Sequence, residues 1–498
     1  MSGRGELGFA GSRDSREATY TSYSVFCALV AALSAFTNGY NIGVPNAPEL
    51  VIRACEGIKD PSAGGAFPAC LPMSTTVWGF VVAAFCLGGM VGGLGSGWLM
   101  SRFGRRPILI FNNLVFIAGG VLVALSNSSG MMIAGRVIIG LACGVSMVVA
   151  PVYIGEVATL KCRGAYGTLP QLFVVLSILI AQLLGLGLSN APGWRILFGI
   201  TVIPAILQMI LLPMFCVETP PYLASCGRID EANASLARLR KGYDVRSEME
   251  EILSVQGSRT SSGDEDIVAT GAKEGTENMG ILQLLRSHML GTTITAIVVH
   301  ASQQLTGINS VFYYSTSMFA EALGSDVARA VTVGIGALNF VMTFVSSALV
   351  DRTGRKVLLL SSLAGLILMS VVIVVASVFG QNIVVVASVF LFVASFAMGL
   401  GPVPWMLMPE LFPIQAVGAA SSLANCVNWL SNFIIGQVFP IINEHLGDYA
   451  FIVFAAVGTV FFIYLWFRLV ETKGKTVEDI QRELYGPQAG GKQEMSAY

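Results

Sequence analysis

Charge is what this chain has least of. Only 12% of its 498 residues are Asp, Glu, Lys or Arg, while 54% are hydrophobic and mean hydropathy is +0.71. A water-exposed globular surface carries about 25% charge, so a soluble domain is excluded. Other scarcities narrow the function. Three scattered His offer no metal-ligand cluster, no Gly-rich loop is placed to hold a nucleotide, and no paired carboxylates lie inside the apolar runs. The glycines of Gly93–Gly97 sit within an apolar run and read as packing. An enzyme is therefore the weakest reading, and no cofactor is called for. Neither the net charge of −1 nor any basic patch with interleaved aromatics asks for nucleic acid.

What the chain has instead is apolar length. Runs of about 20 residues, enough to span a bilayer, recur at 24–44, 76–100, 107–126, 133–153, 167–188, 196–216, 292–320, 330–350, 357–380, 383–408, 417–440 and 449–469. They predict an all-α polytopic membrane protein with twelve transmembrane helices. Residues 1–22 are polar and carry no separate secretory signal, so helix 1 is expected to act as signal anchor. With both termini cytoplasmic, only Arg53, Lys59, Arg195 and Arg329 fall in outer loops and only Arg136 falls inside a helix. The remaining Lys and Arg lie inside, as the positive-inside rule requires. Most of the nine cysteines are in helices or on the reducing side. Cys55 and Cys70 share the first outer loop, where a disulfide can form and would contribute on the order of 3 kcal/mol; closeness in sequence does not decide the pairing. Asn127-Ser128-Ser129 is an outer glycosylation sequon in a short loop.

The chain repeats. SRFGRRP (Ser101–Pro107) follows helix 2 and DRTGRKV (Asp351–Val357) follows helix 8, while Glu156 follows helix 4 and Glu410 follows helix 10 at nearly the same offset. Two six-helix halves of like topology are expected to face one another across an axis along the membrane normal. This divides the chain into a tail (1–23), a first half (24–216), a cytoplasmic linker (217–289), a second half (290–470) and a second tail (471–498). In the linker, 230–256 reads as one amphipathic helix with Leu236, Leu239, Met249, Ile252 and Leu253 on its apolar face, and 258–277 as a flexible stretch. Helix 1 carries a stripe of Ser34, Asn38 and Asn41 that should face protein or water. The glycines of helix 2, Gly88, Gly89, Gly92, Gly93 and Gly97, read as close helix packing.

Helix 7 is the anomaly. Gln303, Gln304 and Asn309 lie in the middle of an apolar span, and on an unbroken helix Gln304 and Asn309 would point roughly 140° apart. Gly307 between them predicts a break that turns both amides toward one cavity. Helix 11 presents Ser421, Asn425, Asn428 and Asn432 within about 60° of arc, helix 5 has Gln171 and Gln182 on one face, and helix 8 has Asn339. In helix 10, Gly399, Gly401, Pro402 and Pro404 forbid a regular backbone beside Trp405. Primary amides both donate and accept, as hydroxyls do, and an indole face covers the C–H side of a sugar ring. A charged cargo would call for intramembrane ions. The cargo expected is neutral and polyhydroxylated.

The stretches QQLTGINSVFYYST, GPVPW, NWLSNF, RFGRRP, PVYIGEV, GTLPQL and VETKGKT resemble the signatures of sugar porters in the major facilitator superfamily, and NGYNIGVPNAP looks most like the animal-type facilitative glucose carriers. The resemblance implies the major facilitator fold. It also implies hexose contacts at Gln171, Gln303, Gln304, Asn309, Asn339, Trp405 and Asn428, and an outer gate at Tyr313 and Tyr314. A cytoplasmic charge network is implied at Arg102, Arg105, Glu156, Arg163, Glu218, Asp351, Arg352, Arg355 and Glu410. Proton-linked porters of this kind have an aspartate where Asn41 stands, near the arginine matching Arg136. An amide cannot exchange a proton, so these coupling positions imply facilitative uniport of hexoses, D-glucose first, across the plasma membrane by alternating access. Proton-coupled symport is the nearest alternative, and a transporter-like sugar sensor a more distant one. Val417 and Pro221 stand where the family usually has arginine, which implies a weaker inner latch and a bias toward the inward-open state. Pro170 also departs from the animal glucose carriers and bears on which hexose is preferred. Beyond substrate and surrounding lipid, the sequence says nothing of oligomeric state.

Overall fold

The computed structural model describes residues 14–60, 67–260 and 279–485; the expected flexible stretch at 258–277 lies almost wholly outside them. Among the described residues the fold is helical. The first half comprises α1 (Ser22–Gly43), a short α2 (Glu49–Arg53), α3 (Thr75–Phe103), α4 (Arg105–Ala124), α5 (Ser129–Val157), α6 (Leu169–Leu188) and α7 (Val202–Phe215). The linker holds α8 (Ile229–Leu239) and α9 (Arg246–Thr260). The second half comprises α10 (Leu290–Leu305), α11 (Ile308–Leu323), α12 (Ser325–Thr353), α13 (Arg355–Val378), α14 (Asn382–Met398), α15 (Val403–Leu411), α16 (Ile414–Leu446) and α17 (Ile452–Arg468), followed by α18 (Val477–Tyr485). Among the described residues, nine stretches are by themselves long and apolar enough to cross a membrane. The other expected spans have identifiable reasons for falling short. Helix 7 is split into α10 and α11, and helices 11 and 12 appear as α16 and α17, which meet at a 102° bend.

The splits follow from backbone chemistry. Gly307 adopts φ +93°, a left-handed conformation that ends α10 and starts α11. The expected helix 10 stops at Met398 and resumes at Val403 after Gly399 to Pro402. The linker differs from expectation: 230–256 is two helices, broken around Gly242 at φ +93°. Four of the five apolar positions nonetheless pack together, Leu236 and Met249 with Leu223 and Ala224, joined by Ile252 and Leu253, while Leu239 packs instead among Val157, Tyr166 and Cys216 of the first half. The second tail holds a helix to which nothing in the sequence pointed. Its polar composition hides α18, whose Ile480 is fully buried and whose Gln481 Nε2 donates to Leu411 O at 2.8 Å.

Close packing in the first half rests on α3 and α5. A Cβ at Gly88 would lie 2.0 Å from Val137 O and one at Gly92 2.1 Å from Leu141 O, so the two backbones touch there. Gly97 has open space around it and takes no part. The stripe on α1 faces α7. Ser34 Oγ donates to Gln208 Oε1 at 2.9 Å, and Asn41 Nδ2 donates to Thr201 Oγ1 at 2.5 Å.

The two halves meet through α3 with α16, α6 with α12, and α1 with α11. Among the described residues, the hydrogen bonds crossing between them gather on one face, which carries the Cys55–Cys70 disulfide. There Asn46 Nδ2 donates to Phe312 O (2.7 Å) and Ser315 Oγ (2.9 Å), Asn46 Oδ1 accepts from Thr316 N (2.9 Å), and Ser325 Oγ donates to Glu56 Oε1 (2.7 Å). On the opposite face, which carries the linker, the ion pairs of the described residues stay within each half. The molecule is closed at the disulfide face.

Candidate functional site

Five buried amides form one hydrogen-bonded chain. Gln303 Nε2 donates to Leu400 O (2.8 Å) and Gly401 O (2.9 Å), the carbonyls freed by the break between α14 and α15. Gln303 Oε1 accepts from Asn428 Nδ2 at 2.6 Å, and Asn428 Oδ1 accepts from Gln304 Nε2 at 3.1 Å. Gln304 Oε1 accepts from Asn309 Nδ2 at 2.6 Å, across the break at Gly307. Asn309 Nδ2 also donates to Asn432 Oδ1 at 2.9 Å, which accepts Tyr313 OH at 3.0 Å. The expected reorientation of Gln304 and Asn309 therefore occurs. Helices 7 and 11 are laced together by groups that could instead bond an incoming hydroxyl.

Other expected residues stand apart. Gln171 and Asn339 have no hydrogen bond to this chain, although Asn339 is buried. Trp405 is 40% exposed, and its ring is met edge-on by His300 with centroids 4.9 Å apart. His300 is fully buried with neither ring nitrogen partnered. The sequence reading missed it; the available signal was its place one turn before Gln304 on the same helical face. Asn432 was visible on the polar face of helix 11 but not assigned to the site.

Tyr313 and Tyr314 are buried at the closed end. Tyr314 OH donates to Gly436 O at 2.5 Å, and its ring stacks on Phe439 at 5.7 Å. Near them Arg136, fully buried, donates to Asn41 O (3.0 Å), Val81 O (3.3 Å) and Val82 O (3.2 Å), and its guanidinium lies 5.0 Å from the Phe85 ring centroid. It meets Asn41 through the backbone carbonyl and not the side-chain amide.

The expected charge network divides by half on the linker face. Arg105 Nη2 pairs with Glu156 Oε1 at 2.9 Å, and Arg355 Nε with Glu410 Oε1 at 3.1 Å. Glu218 accepts from the backbone N–H of Arg106 and Thr219, and Glu471 from those of Arg355, Lys356, Thr472 and Lys473. Burial pushes the Glu218 carboxyl up, against the pull of those N–H groups and of Arg105. At Glu471 burial acts the same way, but four N–H donors together outweigh it and hold the carboxyl below its ordinary value. Arg102, Arg163 and Arg352 are exposed and form no ion pair among the described residues; the side chain of Asp351 is outside the description.

Against known proteins, residues 27–484 match the profile of the sugar (and other) transporter family. The chain is 39% identical over 487 residues to facilitated glucose transporter member 3 of Oryctolagus cuniculus, covering 94% of each. It is 38% identical to the Homo sapiens protein of the same name, covering 94% of this chain and 93% of that one. Among solved structures, the partially occluded inward-open form of the E. coli xylose transporter XylE superposes with TM-score 0.74 at 25% identity, over 92% of this chain and all of that one. The proton:xylose symporter XylE bound to 6-bromo-6-deoxy-D-glucose superposes with TM-score 0.70 at 26% identity, over 93% and 99%.

Proposed function

Because the chain belongs to the sugar (and other) transporter family, we propose that it carries hexoses, D-glucose first, downhill across the plasma membrane by alternating access. The observation that carries this reading is the amide chain from Gln303 to Asn309 with Asn428, an array of donors and acceptors in the membrane interior without a charge. The relatives named facilitated glucose transporters support the same substrate class. On this reading Gln303, Gln304, Asn309 and Asn428 exchange their mutual hydrogen bonds for sugar hydroxyls. Gln171, Asn339 and Trp405 complete the contact, and Tyr313 and Tyr314 cover it from outside. The linker face is cytoplasmic, as are both termini, and the disulfide face is outer. The chemistry is transport and not catalysis.

Uniport follows from the coupling positions. Arg136 is satisfied by three backbone carbonyls, and Asn41 offers an amide with no proton to exchange. Likeness to a proton:xylose symporter favours symport as the second reading. The test is radiolabelled hexose uptake in a cell lacking its own hexose carriers, with competing sugars and with a proton uncoupler. Uncoupler-insensitive glucose flux is expected. Sugar-driven proton uptake would establish the symport reading, and absence of hexose flux would remove both.

A further inference from the structure

At the disulfide face α2 carries Glu49, outside the membrane-spanning segments yet only 3% exposed. One carboxylate oxygen, Oε1, accepts from Arg53 Nε at 2.9 Å. The other, Oε2, is buried without a hydrogen-bond partner. The Ser317 hydroxyl of α11 is close enough to the carboxylate to pull it down as a hydrogen-bond donor, less than burial pushes it up, and it also reaches Tyr314 O at 3.0 Å. Tyr314, also on α11, is near enough to feel the Glu49 charge. Arg53, from its own helix, is thus the charged group that faces Glu49, and Tyr314 the titratable one from the opposite half.

This carboxylate is covered because the outer gate is shut. Three residues earlier Asn46 grips α11 through Phe312 O, Ser315 Oγ and Thr316 N, so the turn leading into α2 is pressed against the other half. Parting the halves here would return Glu49 to water. A salt bridge to Arg53 alone would explain one oxygen, and it is single-pronged. It leaves Oε2 as a bare acceptor in a dry interface, which is costly while the group is ionised and far less so once it is protonated.

We propose that Glu49 is a proton-binding site of the outer gate, ionised when the halves part on that face and protonated at Oε2 as they close. The proton comes from the external solution and forms the Oε2–H bond, for which the Ser317 oxygen is an acceptor at hand. It returns to the same solution on reopening, so no net proton crosses with the sugar. The inference rests on the alternating-access reading above and adds a pH dependence that uniport does not require.

The sign follows from burial. Burial pushes the Glu49 carboxyl up in the closed state, more than Arg53 and the Ser317 hydroxyl together pull it down. The closed state therefore binds the proton more tightly and is favoured as external pH falls, over the window between the raised value and the ordinary one of about 4.3. A single linked proton can change the closed-to-open ratio by at most about tenfold per pH unit.

The experiment places spin labels on cysteines introduced at Asn127 and Gln381, exposed on opposite halves of the outer face, in full-length protein with Cys226→Ser and Cys426→Ser, reconstituted in liposomes. Lowering external pH from about 8 to about 5 is expected to move the distance distribution toward the closed form, while internal pH has no effect. Glu49→Gln, which copies the protonated carboxyl, is expected to be closed-shifted and pH-independent, and Glu49→Asp to keep a pH response. A wild-type distribution that ignores external pH would overturn the proposal without any variant. A Glu49→Gln protein that titrates like wild type would overturn it equally. Hexose counterflow in the same liposomes separates this from a failure of the transport reading.

Discussion

The central amide is Gln304, which holds Asn428 with its nitrogen and Asn309 with its oxygen. Hydrogen bonds of this kind between membrane helices are worth about 0.6–2 kcal/mol each, so two sugar-facing bonds correspond to roughly tenfold or more in affinity. Gln304→Ala is expected to raise the apparent KM for glucose by about that factor or to abolish flux; unchanged uptake would remove helix 7 from the site. Asn432 gives a sharper comparison. Asn432→Leu strands Tyr313 OH and takes from Asn309 Nδ2 one of its two acceptors, leaving it Gln304 Oε1, whereas Tyr313→Phe removes one donor and leaves the bond from Asn309 in place. Uptake should fall further in the first than in the second, since an unpaired buried group costs about 1–3 kcal/mol. These residues were legible because an amide in an apolar span needs a partner. Which partner it takes was not, since Asn428 and Asn432 sit on a different helix more than a hundred residues away. Gln171 and Asn339 looked equally exceptional in sequence and stand outside the chain.

Among elements, the break in helix 7 was legible and its reason is local. Gly307 holds a left-handed φ, and a Cβ there would lie 2.5 Å from the Phe454 ring. Gly307→Ala combines about 1–2 kcal/mol of backbone strain with that clash. A lower unfolding temperature of the purified protein is expected; equal thermal stability would mean the break tolerates a side chain. The linker misled because apolar residues at helical spacing recur on both sides of Gly242; at about 100° per residue Met249 falls about 140° from Leu236, and that slip, with the positive φ, marks the interruption. The C-terminal helix misled for the opposite reason. Nine residues with three acids and an arginine give little apolar signal, and the docking of Ile480 and Tyr485 is visible only once its receptor exists. Tyr485 OH accepts from Thr292 N at 3.0 Å and touches Thr292 Oγ1, serving the first turn of α10, while its ring meets His288 at 5.5 Å. Tyr485→Phe should accelerate amide hydrogen exchange at the start of α10 by roughly two- to tenfold, the equivalent of about 0.5–1.5 kcal/mol. Unaltered exchange would show that α18 docks without holding α10.

Across the whole molecule, the two halves repeat one another down to their linker-face contacts, as the repeated motifs implied. Arg105 with Glu156 matches Arg355 with Glu410, and Glu218 beneath Gly104 matches Glu471 beneath Gly354. The match is not complete. Glu410 Oε2 accepts from Thr472 Oγ1 at 2.5 Å, whereas Glu156 Oε2 and Arg105 Nε are buried without partners. The first half is thus left with an unspent acceptor on the face that must close for the outward-open state. On the second half, Val417 stands in the first turn of α16 where the sugar porters this chain resembles usually have arginine. The shortage fits a molecule that is closed at the disulfide face and superposes with an inward-open carrier. Val417→Arg is expected to supply the missing charge and to move the population toward outward-open. Because a surface ion pair is worth about 0–1 kcal/mol, the shift should be up to roughly fivefold. Crosslinking of cysteine pairs across the linker face, compared with wild type in the same liposomes, reads that shift directly. No gain in linker-face crosslinking would mean that closure is limited by something other than charge at α16.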